Sequence, residues 1–171
     1  MDACGGLGKK NTSRGFNRAT QATRQTGSAS KPLTVLVPGI DKKIFTSSTI
    51  FDDKQTNFIY RKKENYSPTN NSGYLGKITV RRAVESSQNI PFVEMMEKIT
   101  PSTSIKYLEK MGITTLTEED NNLALALGGL EKGISPLEMA GAYSTIANDR
   151  SIYRANFLYK NYSFKWKNIN Y

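Results

Sequence analysis

Apolar residues in this 171-residue chain gather in short periodic runs separated by polar stretches rich in turn formers. Between Ser28 and Val37 the positions Ala29, Leu33, Leu36 and Val37 recur near helical spacing. They predict a short helix that starts near Ser28, tolerates Pro32 in its first turn and ends at Pro38-Gly39. Residues 52–76 pass through Asp52-Asp53, Asn65, Pro68, Asn70-Asn71 and Gly73, and read as an excursion over the surface. Thr79 suits the cap of a helix reaching Ser86 or Ser87. Pro91 then opens another helix, with Phe92, Met95, Met96 and Ile99 on one stripe that reads as core rather than as a cofactor box.

Farther on, Ser102 or Thr103 starts a third helix in which Ile105, Leu108 and Met111 share a face and Gly112 is the stop. Thr117 to Asp120 is polar and reads as a turn. The best-marked start is Ser135-Pro136-Leu137-Glu138, a capping serine, a proline at the first helical position and a glutamate that closes a capping box. The small residues Ala140, Gly141, Ser144 and Ala147 of that helix predict close packing against a neighbour. Ile152 to Tyr159 alternates loosely as a strand would, whereas 161–171 shows no pattern. Residues 1–27 hold five of the thirteen glycines and read as loop or weak strand.

Composition excludes disorder for the patterned part: 37% of residues are hydrophobic and 23% charged, with seven Phe, nine Tyr and one Trp. The length suits one domain or a part of one. A net charge of +9 attracts anionic surfaces, but Lys9, Arg14, Arg24, Lys42, Arg61, Lys77, Arg81 and Lys167 are scattered and form no nucleic-acid module, so no specific nucleic-acid partner is expected. The longest apolar run, from Pro32 to Ile40, falls far below the roughly 18 residues of a membrane span, and residues 1–20 carry no signal-peptide pattern. Cys4 is the single cysteine, so no intramolecular disulfide forms.

The sequence has no histidine, so any serine nucleophile needs a different base. Ser28-Ala29-Ser30-Lys31 supplies one, because a lysine three residues after a serine lies on the same helical face. The amine accepts a proton only when neutral, so the site must lower its pKa by burial or by a second cation. By itself Ser-x-x-Lys also arises by chance on solvated helices. Ser87-Gln88-Asn89, between two predicted helices, could aim a hydroxyl and an amide at the same cleft, although spacing alone favours an ordinary polar turn.

Longer stretches are more specific. Gly15-Phe16-Asn17-Arg18-Ala19-Thr20-Gln21-Ala22 precedes Arg24-Gln25-Thr26-Gly27-Ser28-Ala29-Ser30-Lys31-Pro32, and Thr49-Ile50-Phe51-Asp52-Asp53, Thr79-Val80-Arg81-Arg82-Ala83, Ser87-Gln88-Asn89-Ile90-Pro91, Leu125-Ala126-Leu127-Gly128-Gly129 and Ser135-Pro136-Leu137-Glu138-Met139-Ala140 follow in order. Together they resemble the transpeptidase domain of class A penicillin-binding proteins, with the best match over residues 14–158 and poor matches over 1–13 and 161–171. The resemblance implies an α+β fold of the serine β-lactamase and penicillin-binding transpeptidase type, incomplete here and represented mainly by its helical part. It implies that Ser28 is the acylated nucleophile, Lys31 its base, Ser87 a proton relay and Asn89 a hydrogen-bond partner of the substrate peptide. The implied partners are peptidoglycan stem peptides and β-lactams; no metal or organic cofactor is implied.

Departures from the family carry expectations of their own. Thr26 stands where the family usually has proline and Ser30 where it has an apolar residue. No Lys-Thr-Gly or Lys-Ser-Gly tripeptide, the family's third motif, occurs in the chain, so loss of activity is expected. The family also places earlier strands, a glycosyltransferase domain and a membrane anchor before this point. Met1 is therefore expected to start mid-domain, in a partial or disrupted reading frame, and the chain as written to stay in the cytoplasm although the family is membrane-anchored and extracytoplasmic. The alternative function is a non-catalytic module whose basic surface binds wall polymers or a protein partner.

Overall fold

The structure is a computed structural model and describes residues 15–60, 64–148, 152–153 and 168–169. The predicted helix near Ser28 has three parts, a 3-10 turn over Gly27–Ser30, a π-helical stretch over Pro32–Leu36 and helix α1 (Val37–Asp41). It runs past Pro38-Gly39 instead of ending there. Pro38 lies in the first turn of α1, where a missing N–H is tolerated, and Gly39 leaves room for the Phe45 ring, 2.1 Å from where a Cβ would stand.

The surface excursion contains strands that the turn formers concealed. Strand β1 (Ile50–Asp53) pairs antiparallel with β4 (Gly76–Thr79), from Ile50 opposite Thr79 to Asp53 opposite Gly76. Between them, β2 (Phe58–Tyr60) and β3 (Glu64–Tyr66) form a separate antiparallel pair. Phe51 and Asp53 of β1 turn inward while Ile50 faces out, the alternation expected of a half-buried strand. Late in the chain, β5 (Ile152–Tyr153) pairs with β6 (Asn168–Ile169), which places strand within the segment expected to be patternless. The remainder of the strand expected up to Tyr159, and the 1–13 segment with Cys4, lie outside the described residues.

Thr79 caps α2 (Val80–Glu85), its hydroxyl accepting from the Arg82 N–H at 3.2 Å. Helix α3 starts two residues before Pro91, at Asn89, and runs to Ile99. Its expected stripe is the centre of the core: Phe92, Met95, Met96 and Ile99 are buried against Leu33 and Val35 of the π-helical stretch and against Leu108, Leu123 and Leu125. Each such side chain contributes roughly 1.5–3 kcal/mol by leaving water. Helix α4 (Pro101–Lys110) starts slightly before the expected Ser102, because Thr100 accepts from the Thr103 N–H and Pro101 takes the first position. Gly112, at φ +90, follows the turn at its end. Among the described residues no helix is long and apolar enough to cross a membrane.

Thr117–Asp120 is a 3-10 turn (Glu118–Asp120) with its own capping box. A second 3-10 segment, Leu123–Leu127, ends at Gly128, φ +76. Gly128 N–H donates to Leu125 O at 3.2 Å and Gly129 N–H to Ala124 O at 3.0 Å, the paired closing bonds of a Schellman motif. Helix α5 (Pro136–Ala147) has the predicted capping box at Ser135 and Glu138. Its packed face is Ala142 and Thr145, however, and not the small-residue set: among the described residues nothing lies within 4 Å of a Cβ at Gly141, and Ala147 is exposed.

Two outcomes test this architecture. Glu138 accepts from the backbone and hydroxyl of both Ser135 and Thr114 at 2.8–3.0 Å. Burial pushes its carboxyl up, but the four hydrogen bonds outweigh burial and hold it below its ordinary 4.5. Its stabilising effect is therefore complete above pH 4.5 and is lost as pH falls through the lower folded value. Urea unfolding of Glu138→Ala should show a loss of about 1 kcal/mol at neutral pH that shrinks in acid. Gly128→Ala should cost more, about 3 kcal/mol in the same assay, because φ is positive and the new Cβ meets Gly27 O at 2.3 Å.

Candidate active site

Ser28 and Lys31 lie three residues apart across the 3-10 turn, a geometry in which i and i+3 side chains eclipse. The Lys31 N–H also donates to the Ser28 carbonyl and ties the two backbones together. The Ser28 residue is exposed and Lys31 is 2% exposed. The turn is held from below: Gly128 packs its α-carbon against the backbone of Gly27, itself at φ +53, and against Ser30 Oγ. Ser30 Oγ donates to Gly27 O at 2.9 Å, and the Tyr143 hydroxyl donates to Ala29 O. Ser30, polar where the resembled family has an apolar residue, thus spends its hydroxyl on the turn itself.

The segment leading into the turn is fixed in the same way, by an isolated antiparallel bridge. Arg24 and Ile134 exchange backbone hydrogen bonds of 3.2 and 2.9 Å, and Gly133 lies so close that a Cβ would stand 2.3 Å from the Arg24 carbonyl. Gln25 Nε2 donates to Leu130 O at 3.2 Å. Thr26, in the family's proline position, has a buried hydroxyl without a hydrogen-bond partner among the described residues, a cost that proline would not incur.

Opposite the turn stands the corner between α2 and α3. Ser87 N–H donates to Val84 O at 3.1 Å and Gln88 N–H to Ala83 O at 3.0 Å, so α2 also ends in a Schellman motif. Ser87 occupies the left-handed position, at φ +52, where glycine is usual. That conformation turns both Ser87 oxygens toward Lys31: Nζ lies 2.7 Å from Ser87 O and 3.2 Å from Ser87 Oγ. It lies 3.3 Å from Gln88 O and 2.8 Å from Asn89 Oδ1, and 4.9 Å from the centre of the Phe92 ring.

Among the described residues no carboxylate pairs with Lys31. Burial, with no opposite charge to offset it, lowers its pKa from 10.5 to about 8. Roughly one amine in ten is then neutral at pH 7, against about one in 3,000 for an ordinary lysine. The structure therefore brings Lys31, Ser87 and Asn89 together, while Ser28 stands on the exposed side of the same turn. Gln88, Phe92 and Gly128 also build this centre, and periodicity alone marked none of them as site residues. Among the described residues no group of three or more His, Cys, Asp or Glu converges as a metal site would.

Comparison with known proteins gives these residues their setting. The penicillin binding protein transpeptidase domain matches residues 8–169. Penicillin-binding protein 1F of Bacillus subtilis is 41% identical over 141 residues, covering 82% of this chain and 18% of that protein. Penicillin-binding protein 1A of Clostridium botulinum, strain Hall, is 40% identical over 153 residues, covering 85% and 18%. The chain thus spans about a fifth of the length of such relatives. The crystal structure of penicillin-binding protein 1A from Haemophilus influenzae superposes with a TM-score of 0.71 at 26% identity, over 82% of this chain and 20% of that one. A D,D-transpeptidase domain from Eggerthella lenta shares the fold at a TM-score of 0.64 and 21% identity, over 81% and 40%. With its Ser28-to-Lys31 turn and its partial α+β fold, this chain belongs to the penicillin-binding protein transpeptidase-domain family.

Proposed function

We propose that these residues form the nucleophile half of a D-Ala-D-Ala transpeptidase site that cross-links peptidoglycan stem peptides by serine acyl transfer. The observation that supports this most is a buried lysine with no carboxylate, hydrogen-bonded to Ser87 and Asn89, three residues after an exposed serine. Neutral Lys31 takes the Ser28 proton as Oγ bonds to the carbonyl carbon of the penultimate D-alanine. The C–N bond then breaks, and the departing D-alanine amine receives the proton through Ser87. An amine of a second stem peptide attacks the ester, forms the new amide and returns the proton to Ser28. Asn89 holds the substrate peptide by hydrogen bonding. β-Lactams meet the same serine, and opening of their ring amide leaves the acyl group on Oγ.

The 171-residue chain alone runs this chemistry poorly. In the family the third-motif strand supplies an oxyanion donor and a carboxylate contact, and neither Lys-Thr-Gly nor Lys-Ser-Gly occurs in the sequence. Loss of one such donor slows acyl transfer by about 100 to 1,000-fold. Fluorescent penicillin should therefore label the folded chain weakly, at least about 100-fold slower than a complete domain of the family. The label should map to Ser28, disappear in Ser28→Ala and form faster as pH rises through about 8, where Lys31 loses its proton. Labelling as fast as that of a complete domain would overturn the impairment, and labelling that survives Ser28→Ala would overturn the nucleophile.

A second, non-catalytic reading has one observation in its favour. Lys42, just past the end of α1, meets Lys106 and Lys110 of α4 around an open groove of about 540 Å³ that Thr103, Tyr107 and Glu109 also line. In this reading the groove holds an anionic wall polymer. Binding to purified teichoic acid should then weaken steeply between 50 and 500 mM salt, roughly the range over which the Debye length shortens from above 10 Å to below 5 Å. Affinity unchanged across that range would count against it.

A further inference from the structure

Asn70 lies in the loop between β3 and β4, where turn-forming residues gave no hint of a role in the site. Its side chain makes four hydrogen bonds in two directions. The amide oxygen accepts from the backbone N–H groups of Asn89 and Ile90, at 2.7 and 3.3 Å, and so caps the start of α3 from outside the helix. The amide nitrogen donates to Asp53 Oδ1 at 2.7 Å and to Gly73 O at 3.0 Å.

Asp53 is fully buried at the end of β1, and its other oxygen accepts from the Leu75 N–H at 2.9 Å. A buried carboxylate is costly unless its oxygens are satisfied, so it fixes where the Asn70 amide must stand. Two further bonds run from the same corner to the same loop, from Asn89 Nδ2 to Thr69 O at 2.7 Å and from Gln88 Nε2 to Ser72 Oγ at 3.3 Å. The first of them leaves Asn89 Oδ1 pointing at Lys31 Nζ, 2.8 Å away. A continuous path therefore leads from the Asp53 carboxylate through Asn70 and Asn89 to Lys31.

We propose that Asp53 and Asn70 are positioning residues of the Lys31 centre, a buried carboxylate and an amide clamp that together hold the 87–89 corner over the lysine and keep water from it. Neither touches Lys31; they act through the corner, whose oxygens Ser87 O, Ser87 Oγ, Gln88 O and Asn89 Oδ1 all accept from Nζ. The inference rests on the acyl-transfer reading only for its catalytic consequence, since the clamp itself is a matter of which groups surround Lys31.

The test is the titration of Lys31 in the 171-residue chain, followed by NMR of ¹³Cε-labelled lysine and assigned with Lys31→Met. Asn70→Ala removes the clamp, and Asn70→Ser removes the donor to Asp53 with less loss of volume. In either folded variant the corner loosens, water reaches the amine and the Lys31 midpoint rises by about one unit or more toward its ordinary value. An unchanged midpoint in a folded variant would overturn the proposal, and unfolding of both variants would assign the network to stability alone and overturn it equally. Because the readout is a titration, a chain that takes no penicillin still decides the question, and failure of the acyl-transfer reading is scored separately.

Discussion

Burial of the Lys31 ammonium against neutral oxygens is the constraint around which the described structure is arranged. A cation 2% exposed, with no carboxylate partner among the described residues, costs on the order of 3 kcal/mol at neutral pH when its pKa falls from 10.5 to about 8. That cost is complete below pH 8 and fades as pH rises toward 10.5, where the unfolded chain also gives up the proton. The fold meets it by surrounding the amine with the Ser87, Gln88 and Asn89 oxygens and the Phe92 face, and by packing α3 into the centre of the core so that those groups keep their places. An acidic partner would have been cheaper for stability and would have held the lysine protonated, which is the state that cannot accept a serine proton.

The turn from Ser28 to Lys31 depends on close backbone contact more than on side chains. Gly128 lies under Gly27, and Gly133 lies against Arg24. Side chains at either glycine would lift the Ser28 turn away from the rest of the core. Two 3-10 segments distant in sequence are thereby fixed to one another within van der Waals contact, and the serine hydroxyl is presented to solvent on a rigid support. Precision of this sort is what the proposed acyl transfer would require, since reacting atoms displaced by an ångström lose much of their effective concentration.

Helix positions were legible in the sequence where a cap and an apolar stripe agreed. Thr79, the Ser135-to-Glu138 box and the Phe92, Met95, Met96, Ile99 stripe all marked real elements, because each depends on contacts within a turn or two. The strands between Ile50 and Thr79 were not legible, since each is only three or four residues long, and β1 and β4 carry Asp53 and Gly76 at positions that alternation would make apolar. Ser-x-x-Lys and Ser87 to Asn89 were visible as motifs, but their meeting at 2.8–3.2 Å spans more than fifty residues and no local pattern encodes it. Gly141 shows the converse error: a small residue read as a packing contact meets no neighbour among the described residues.

Two Schellman corners frame this centre, and they differ in one residue. At Gly128 the left-handed position is filled by the amino acid that takes it freely, whereas at Ser87 it is filled by one that carries a Cβ and a hydroxyl. A left-handed non-glycine residue costs roughly 1–2 kcal/mol. Drift toward glycine at position 87 would therefore be favoured by folding alone, and it would erase the hydroxyl 3.2 Å from Lys31 without disturbing the corner that carries it. Under the proposed proton-relay role of Ser87, the identity of residue 87 in any descendant of this chain would report whether chemistry or stability has been the stronger of the two.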